Sequence, residues 1–244
     1  MTARLASIWR HPVKAIGREG LQRTRLRAGR GLPHDRRWAV THARAKPIDG
    51  WAQKANFLRG VSGPELMAVT AALDPEAGRV TLRHPRCPDL TVAPAAEAQA
   101  LCDWLAPLWP GDLPRPAAVV ECATGFTDIP ESWVSIQNAA SHRAVAQRLG
   151  GELSIHRWRG NLWVEGWPLW HEFDLVGRRI RIGDSVLEIR EPITRCKATM
   201  ANPETGRRDA DTLAALRSWD HQDFGVYAAV IEGGEIAPGA EVAA

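Results

Sequence analysis

The sequence predicts a mainly β fold with a few helices, an α+β chain in which many short strands form a barrel. Two observations lead to this prediction. The 244 residues include 17 prolines and 21 glycines, which are typical of many turns and therefore of short strands. Short apolar runs also recur at close spacing between these turn residues, as in small barrels.

The first half of the chain contains most of the predicted hairpin features. A strand over 5–9 leads into a turn at His11-Pro12, and Arg37–Thr41 forms the next strand. The runs Ala68–Leu73 and Arg79–Arg83 predict a hairpin around the turn at 74–78, and Pro88–Val92 adds a strand.

One helix closes the first half. In Ala95–Trp109 the residues Leu101, Trp104, Leu105 and Leu108 share the spacing of one apolar helix face. Prolines and glycines at 110–116 then interrupt the pattern. We therefore expect two units, residues 1–112 and residues 113–244.

The second half predicts more strands and two short helices. Asn138 is a suitable N-cap for a helix through Val145 and Leu149, which ends at Gly150-Gly151, and a second helix is expected at Thr212–Ser218. The predicted strands are Ala117–Cys122, Trp133–Gln137, Leu153–Trp158, Asn161–Glu165, Glu172–Val176, Arg179–Ile182, Val186–Arg190 and Gly225–Ile231.

Composition excludes several classes of protein. A formal net charge of +3, with basic residues spread along the chain, argues against nucleic-acid binding. The start lacks the apolar region of a signal peptide, and no apolar run approaches membrane-spanning length, so we expect a cytoplasmic protein without a membrane partner. None of the four cysteines stands in a Cys-x-x-Cys pair, which disfavours zinc ribbons, iron–sulfur clusters and thioredoxin-like sites.

Cys196 is the most informative position. Arg195 and Lys197 flank it, and two adjacent cations favour the thiolate, which is the form that binds metal or attacks a substrate. A soft thiolate suits a soft or high-valent metal centre. From these neighbours alone, an inert structural cysteine remains the more frequent outcome.

Several ordered motifs give the chain a resemblance to a known family. They are Ile8-Trp-Arg-His-Pro-Val-Lys14, Asp35-Arg-Arg-Trp38, Arg159-Gly-Asn161, Ile182-Gly-Asp184, Thr194-Arg-Cys196, Asn202-Pro-Glu-Thr-Gly206 and Phe224-Gly-Val-Tyr227. With these motifs the chain resembles the MOSC family (molybdenum cofactor sulfurase C-terminal domain), in the form with an N-terminal MOSC β-barrel domain. Among its members it is similar to the amidoxime-reducing proteins.

The resemblance implies a molybdenum cofactor site and does not imply pyridoxal phosphate. Cys196 would be the catalytic residue and the thiolate ligand of molybdenum. The residues implied to contact the molybdopterin are Lys14, Arg36, Ser132, Arg159, Asn161, Arg195 and Tyr227. Arginine can hold phosphate through two hydrogen bonds, which suits this cofactor. One departure is Ala15, where relatives often have serine after the lysine.

The resemblance also implies a reductase of small N-oxygenated (N-hydroxylated) compounds. The chain carries no flavin or haem motif, so a separate electron-donor protein is expected, either ferredoxin-like or a b-type cytochrome with its reductase. Two alternatives remain open. One is a carrier of sulfur or of the cofactor that uses Cys196 as a persulfide or ligand, and the other is a barrel binding protein with a structural cysteine.

Overall fold

The structure is a computed structural model that describes residues 2–243, and within this range the chain forms fifteen strands and four α-helices. The strands are β1 (Arg4–Arg10), β2 (Glu19–Leu21), β3 (Thr24–Leu26), β4 (Trp38–His42), β5 (Thr70–Asp74), β6 (Arg79–His84), β7 (Cys87–Val92), β8 (Pro116–Glu121), β9 (Val134–Asn138), β10 (Leu162–Glu165), β11 (Arg179–Ile182), β12 (Ser185–Thr194), β13 (Asp223–Glu232), β14 (Gly234–Ile236) and β15 (Val242–Ala243). The α-helices are α1 (Ala98–Leu105), α2 (Ala139–Arg148), α3 (His171–Asp174) and α4 (Thr212–Arg217). The mainly β, α+β prediction is confirmed.

Five short 3₁₀ helices complete the secondary structure of residues 2–243. They are Lys54–Asn56, Pro64–Ala68, Ala106–Leu108, Ile155–Trp158 and Lys197–Met200. Within the described range, every helix is too short or too polar to span a membrane.

An eight-stranded sheet forms the centre of the molecule, in the order β15-β11-β12-β13-β9-β10-β1-β2. Strand β1 pairs antiparallel with β10, with Leu5 opposite Val164. Strands β9 and β10 are parallel, which requires a crossover, and α2 with the following 3₁₀ helix supplies it. The first strand of the chain is therefore built into a sheet made mostly from the second half.

Strand pairing also crosses the predicted boundary at residue 112 a second time. Strand β4 pairs with β8, with Val40 opposite Val119. The hairpin of β5 and β6 and the neighbouring β7 form a separate three-stranded sheet, as the turn at 74–78 predicts. The division into 1–112 and 113–244 stays a prediction.

The two faces of the large sheet differ in chemistry. Side chains alternate between faces along a strand, so Leu5, Ile136, Leu162 and Val226 share the apolar core on one face. The alternate positions, Ser135, Gln137, Asn161, Trp163 and Tyr227, belong to the other face. This second, more polar face carries the candidate site.

Two strand predictions are wrong. Residues 155–158, within the predicted strand Leu153–Trp158, form a 3₁₀ helix, and residues 171–174, at the start of the predicted strand Glu172–Val176, form α3. In the second case Glu172 is fully buried, and its carboxylate accepts hydrogen bonds from Asn138 and Ser141. Such a tertiary contact overrides a short apolar alternation.

The predicted helices are largely present. The Asn138 side chain accepts a hydrogen bond from the Ala140 N–H at 2.9 Å, as an N-cap should. The helix expected over 95–109 is shorter, because Pro107 lies in its last turn and the chain continues there as a 3₁₀ helix.

Candidate functional site

Cys196 lies two residues after the end of β12 and is the N-cap of the 3₁₀ helix Lys197–Met200. Its residue is exposed and its thiol is free. Its carbonyl oxygen accepts hydrogen bonds from the Thr199 backbone N–H at 3.1 Å and from the Thr199 hydroxyl at 3.0 Å. The Thr199 hydroxyl is also 2.6 Å from that of Thr212 in α4. The backbone of Cys196 is thus fixed while its sulfur stays accessible.

Arg195 is held by two backbone carbonyls. Its Nη1 donates to the Trp158 carbonyl at 2.8 Å, and its Nε donates to the Phe224 carbonyl at 2.9 Å. The rings of Trp158 and Phe224 stack with centroids 3.8 Å apart, which fixes the two acceptors relative to each other. Burial lowers the pKa of Arg195 to about 10, partly offset by Tyr227 and Cys196.

Lys14 is 5% exposed and follows the turn after β1. Its Nζ donates to the Phe126 carbonyl at 2.8 Å and to Asp128 Oδ1 at 2.7 Å. Burial lowers the pKa of Lys14, although Asp128 opposes the shift. The ammonium group is therefore fixed by two oxygens from the segment before β9.

Arg36 adopts a left-handed backbone conformation, with φ of 52°. Its guanidinium forms an ion pair with Asp35 and donates through Nη2 to the Arg159 carbonyl at 2.9 Å. Asp35 Oδ1 also accepts the His11 backbone N–H at 2.7 Å. Although burial opposes it, the charge of Arg36 lowers the pKa of Asp35, so the carboxylate stays ionised.

Arg159 is the least compensated cation of the group. Its Nη2 is buried and has no hydrogen-bond partner among residues 2–243. Burial, reinforced by the charge of Arg36, lowers the pKa of Arg159 to about 9. A Cβ at the next residue, Gly160, would lie 1.8 Å from Gln137 Oε1, so only glycine allows this approach. A buried donor of this kind is suited to an external anion.

Asn161 is 2% exposed and its amide is used within the protein. Its Oδ1 accepts from the Ser135 hydroxyl at 2.9 Å, and its Nδ2 donates to the Trp9 carbonyl at 3.1 Å. Asn161, two residues after Arg159, thereby joins β1 to β9. Its predicted contact with a cofactor stays a prediction, and its observed role is to position the Arg159 loop.

Tyr227 lies beside this group, whereas Ser132 lies against the loop that contains Gly31. Tyr227 is on β13, opposite Ser135, and its ring centroid is 6.3 Å from that of Trp133. Burial raises the pKa of Tyr227, and Asp128 adds to the shift. Ser132 is partly exposed just before β9, and a Cβ at Gly31 would lie 3.7 Å from its carbonyl oxygen.

The structure brings most of the predicted residues into one electrostatic group. The charge of Arg36 affects the pKa of Lys14, Arg159, Arg195 and Tyr227, and Cys196 affects that of Arg195. These residues come from distant parts of the chain and converge on the polar face of the sheet. We refer to these four side chains, the buried Lys14 and the half-buried Arg36, Arg159 and Arg195, as the buried cation cluster.

Sequence reasoning missed several residues of the site. Asp35 and His11 lie inside the motifs that carry the resemblance, so these motifs could have identified them as site residues. Asp128 and Gln137 have no such signal. Gln137 is fully buried, and neither atom of its amide group has a partner among residues 2–243.

The arrangement suits an anionic ligand with a soft metal. Four cations face the carboxylates of Asp35 and Asp128, which leaves positive charge beside an open thiol. Within residues 2–243, no three His, Cys, Asp or Glu side chains cluster as a metal site. A metal at Cys196 would therefore need further ligands from a bound group.

Two family models match the chain. The model of the MOSC domain matches residues 124–243, and that of the MOSC N-terminal beta barrel domain matches residues 2–106. Together they span most of the chain. No curated protein matches it.

Solved structures give weak similarities. The YuaD protein from Bacillus subtilis is 13% identical with a TM-score of 0.48, over 99% of this chain and 94% of the other. YiiM from Geobacillus stearothermophilus is 16% identical with a TM-score of 0.34, over 45% of this chain and 52% of the other. At these scores neither similarity carries an argument about this chain.

Proposed function

Because the chain belongs to the MOSC family, whose domain is associated with the molybdenum cofactor, we propose that it is a molybdenum-dependent reductase of small N-oxygenated compounds. The observation that carries this proposal is the buried cation cluster beside an exposed thiol. In particular, Arg159 keeps a buried N–H group without a partner among residues 2–243.

The residues present fit the cofactor. A molybdopterin brings a phosphate and a dithiolene, both anionic, and four cations balanced by two carboxylates leave charge to receive them. Lys14, Arg36 and Arg195 are already fixed by carbonyls and carboxylates, so binding needs little ordering of these three side chains. Cys196 offers the soft donor that molybdenum requires.

Each residue has a distinct part in the proposed mechanism. Lys14, Arg36 and Arg159 would hold the anionic pterin end, and the Cys196 thiolate would bind the metal. When bound, the cofactor supplies two-electron redox chemistry. Tyr227 keeps its proton at neutral pH, as tyrosine ordinarily does, and burial raises its pKa further, so its hydroxyl would donate a hydrogen bond to a substrate oxygen.

The overall reaction needs electrons and protons from outside. Breaking the N–O bond of an N-hydroxylated compound consumes two electrons and two protons and releases the amine form and water. The 244 residues carry no flavin or haem motif, so we propose a separate electron-donor protein, either ferredoxin-like or a b-type cytochrome with its reductase.

One observation favours a second candidate function. The exposure of Cys196 suits a persulfide that must be passed to another protein. In that case the chain would be a carrier of sulfur or of the cofactor. A carrier predicts labile sulfur without stoichiometric molybdenum in the isolated protein.

A reduction assay tests the proposed function. Protein from a molybdenum-replete host is given benzamidoxime, an N-hydroxylated amidine, with reduced methyl viologen as an artificial donor. We expect benzamidine to form with the wild type and with the control variant Cys87→Ser, and not with Cys196→Ser. Labile sulfur without benzamidine formation would support the carrier instead. Equal activity in Cys196→Ser would contradict the assignment of Cys196 as the metal ligand.

A further inference from the structure

A second basic region lies outside the buried cation cluster. An open pocket of about 650 Å³ lies between the β3 segment, the loop at 30–37 and the segment at 123–125. Its charged lining consists of Arg10, Arg25, Arg27, Arg30, Arg37 and Asp35, and His34 also lines it. Neither Cys196 nor any member of the buried cation cluster lines it.

The acidic groups near this pocket are largely engaged. Glu19 pairs with Arg10 at 2.7 Å, and Glu121 pairs with Arg37 at 2.6 Å. Asp35 is bonded to Arg36 and to the His11 backbone. These carboxylates neutralise the inner arginines of the pocket, Arg10 and Arg37, and leave little negative charge for the outer ones, Arg25, Arg27 and Arg30.

The charges of the outer arginines are not compensated by a carboxylate among the described residues. Within residues 2–243, Arg25, Arg27 and Arg30 form no ion pair, and all three are exposed. Glu235 lies opposite Arg25 in the β3–β14 ladder, but its carboxylate pairs with Arg23 at 3.6 Å. Three guanidinium groups around a concavity therefore lack an internal anion.

His34 adds a hydrogen-bond donor to the pocket. Its Nδ1 accepts a hydrogen bond from Arg37 Nη1 at 3.1 Å, which requires a neutral ring with its proton on Nε2. Burial together with the charges of Arg10 and Arg37 lowers the pKa of His34 and keeps the ring neutral. Its Nε2–H is then a further hydrogen-bond donor at the pocket.

The walls of the pocket are partly apolar. Leu32, Pro33, Pro75 and Ala123 line it together with the arginines. Ligand pockets of small molecules typically have volumes of about 300–1,000 Å³, with apolar walls and a few orienting polar groups. Concave walls of this kind fit the organic part of a small molecule better than the flat surface of a partner protein.

We propose that this pocket is a binding site for a small organic phosphate with more than one negative charge, of the nucleoside polyphosphate class. Guanidinium groups bind phosphate oxygens through paired hydrogen bonds, and three uncompensated ones suit a di- or triphosphate. The apolar wall would contact the base or sugar. The site does not depend on the proposed function, because neither Cys196 nor any member of the buried cation cluster lines it, and the one shared residue, Asp35, is already paired with Arg36.

Calorimetry with ATP in the presence of a chelator tests this proposal, with pyrophosphate and adenosine as further probes. We expect ATP and pyrophosphate to bind and adenosine to bind far more weakly. The triple variant Arg25→Gln/Arg27→Gln/Arg30→Gln should weaken ATP binding about tenfold or more, because it removes charged hydrogen-bond donors. The matched control Arg178→Gln/Arg181→Gln/Arg217→Gln has the same net charge and should bind like the wild type.

Three outcomes would overturn the proposal. Equal weakening in both triple variants would mean nonspecific attraction to a basic protein. Loss of ATP binding in Arg159→Met would assign the anion to the molybdenum site. Binding of polyglutamate but not of ATP or pyrophosphate would mean that the surface receives an acidic polypeptide. Retained ATP binding in Arg159→Met supports the pocket, whether or not the protein reduces benzamidoxime.

Discussion

The two basic regions of the chain hold their arginines in different ways. In the buried cation cluster, Arg36 and Arg195 are bonded to carbonyls or to Asp35 and have little freedom. Around the pocket, Arg25, Arg27 and Arg30 are exposed and unpaired within the described residues. Fixed buried cations suit a permanently bound group, whereas mobile exposed cations suit a ligand that exchanges and responds to salt.

The two regions should differ most in how much the free energy of unfolding changes when one arginine of each is replaced. Arg36→Met leaves the buried Asp35 carboxylate without its ion pair, which should lower the free energy of unfolding by about 3 kcal/mol or more. Arg27→Met, at an exposed and unpaired site, should change it by less than about 0.5 kcal/mol. Urea denaturation of both variants measures the difference.

A double variant checks the cause of this loss. Asp35→Asn/Arg36→Met removes both charges and should be more stable than Arg36→Met alone. If the double variant is no more stable, the uncompensated carboxylate is not the source of the destabilisation.

Within the buried cation cluster, Arg159 distinguishes a role in binding a ligand from a role in stabilising the fold. Because its Nη2 is buried without a partner in residues 2–243, Arg159→Met should stabilise the cofactor-free protein by on the order of 1 kcal/mol. The same variant should retain less molybdenum than the wild type. Urea denaturation of protein from molybdenum-depleted cells and metal analysis from replete cells measure the two effects.

A loss of stability together with full molybdenum retention would contradict this account of Arg159. It would mean that the side chain serves the fold and not a ligand.

Acid should act mainly on buried histidines. Burial lowers the pKa of His11 to about 3 and of His142 to about 4, so the unfolded chain binds protons that the native chain does not. The free energy of unfolding should fall as the pH drops from about 6.5 to 4, by on the order of 1 kcal/mol per histidine per pH unit. Urea midpoints at pH 7 and pH 5 test this, and equal midpoints would contradict it.

The smallest expected effect concerns the pocket. The triple variant of Arg25, Arg27 and Arg30 should change the free energy of unfolding by less than about 1 kcal/mol, because exposed unpaired charges contribute little. It should nevertheless lose most of its anion binding. A marked loss of stability would mean that these side chains hold the loop at 30–37 in place.

The sequence predicted much of the fold and the main elements of the candidate site. Turn residues at 74–78 and the N-cap Asn138 specify their structures locally, so the hairpin and α2 could be read directly. The residues 171–174 could not, because Glu172 accepts hydrogen bonds from Asn138 and Ser141, which are distant in sequence. Only the fold brings these groups together.

For the site, too, the sequence did not predict contacts that only the fold brings together. The motifs predicted Cys196, Lys14, Arg36 and Arg159, but not the acid that pairs with Lys14. Asp128 stands in a loop without a motif, and it reaches Lys14 only through the folding of the segment before β9. The arginine pocket was also missed, since Arg25, Arg27 and Arg30 resemble ordinary surface charges in the sequence.

Molybdenum analysis of purified protein tests the central claim most directly. Wild type and the control Cys87→Ser, isolated from a molybdenum-replete host, should each retain about one molybdenum per chain, whereas Cys196→Ser should retain almost none. Oxidised extracts of the two metal-containing proteins should show pterin fluorescence. Wild-type molybdenum content in Cys196→Ser would contradict Cys196 as the metal ligand, and absence of molybdenum from the wild type would contradict the account of the buried cation cluster as a cofactor site.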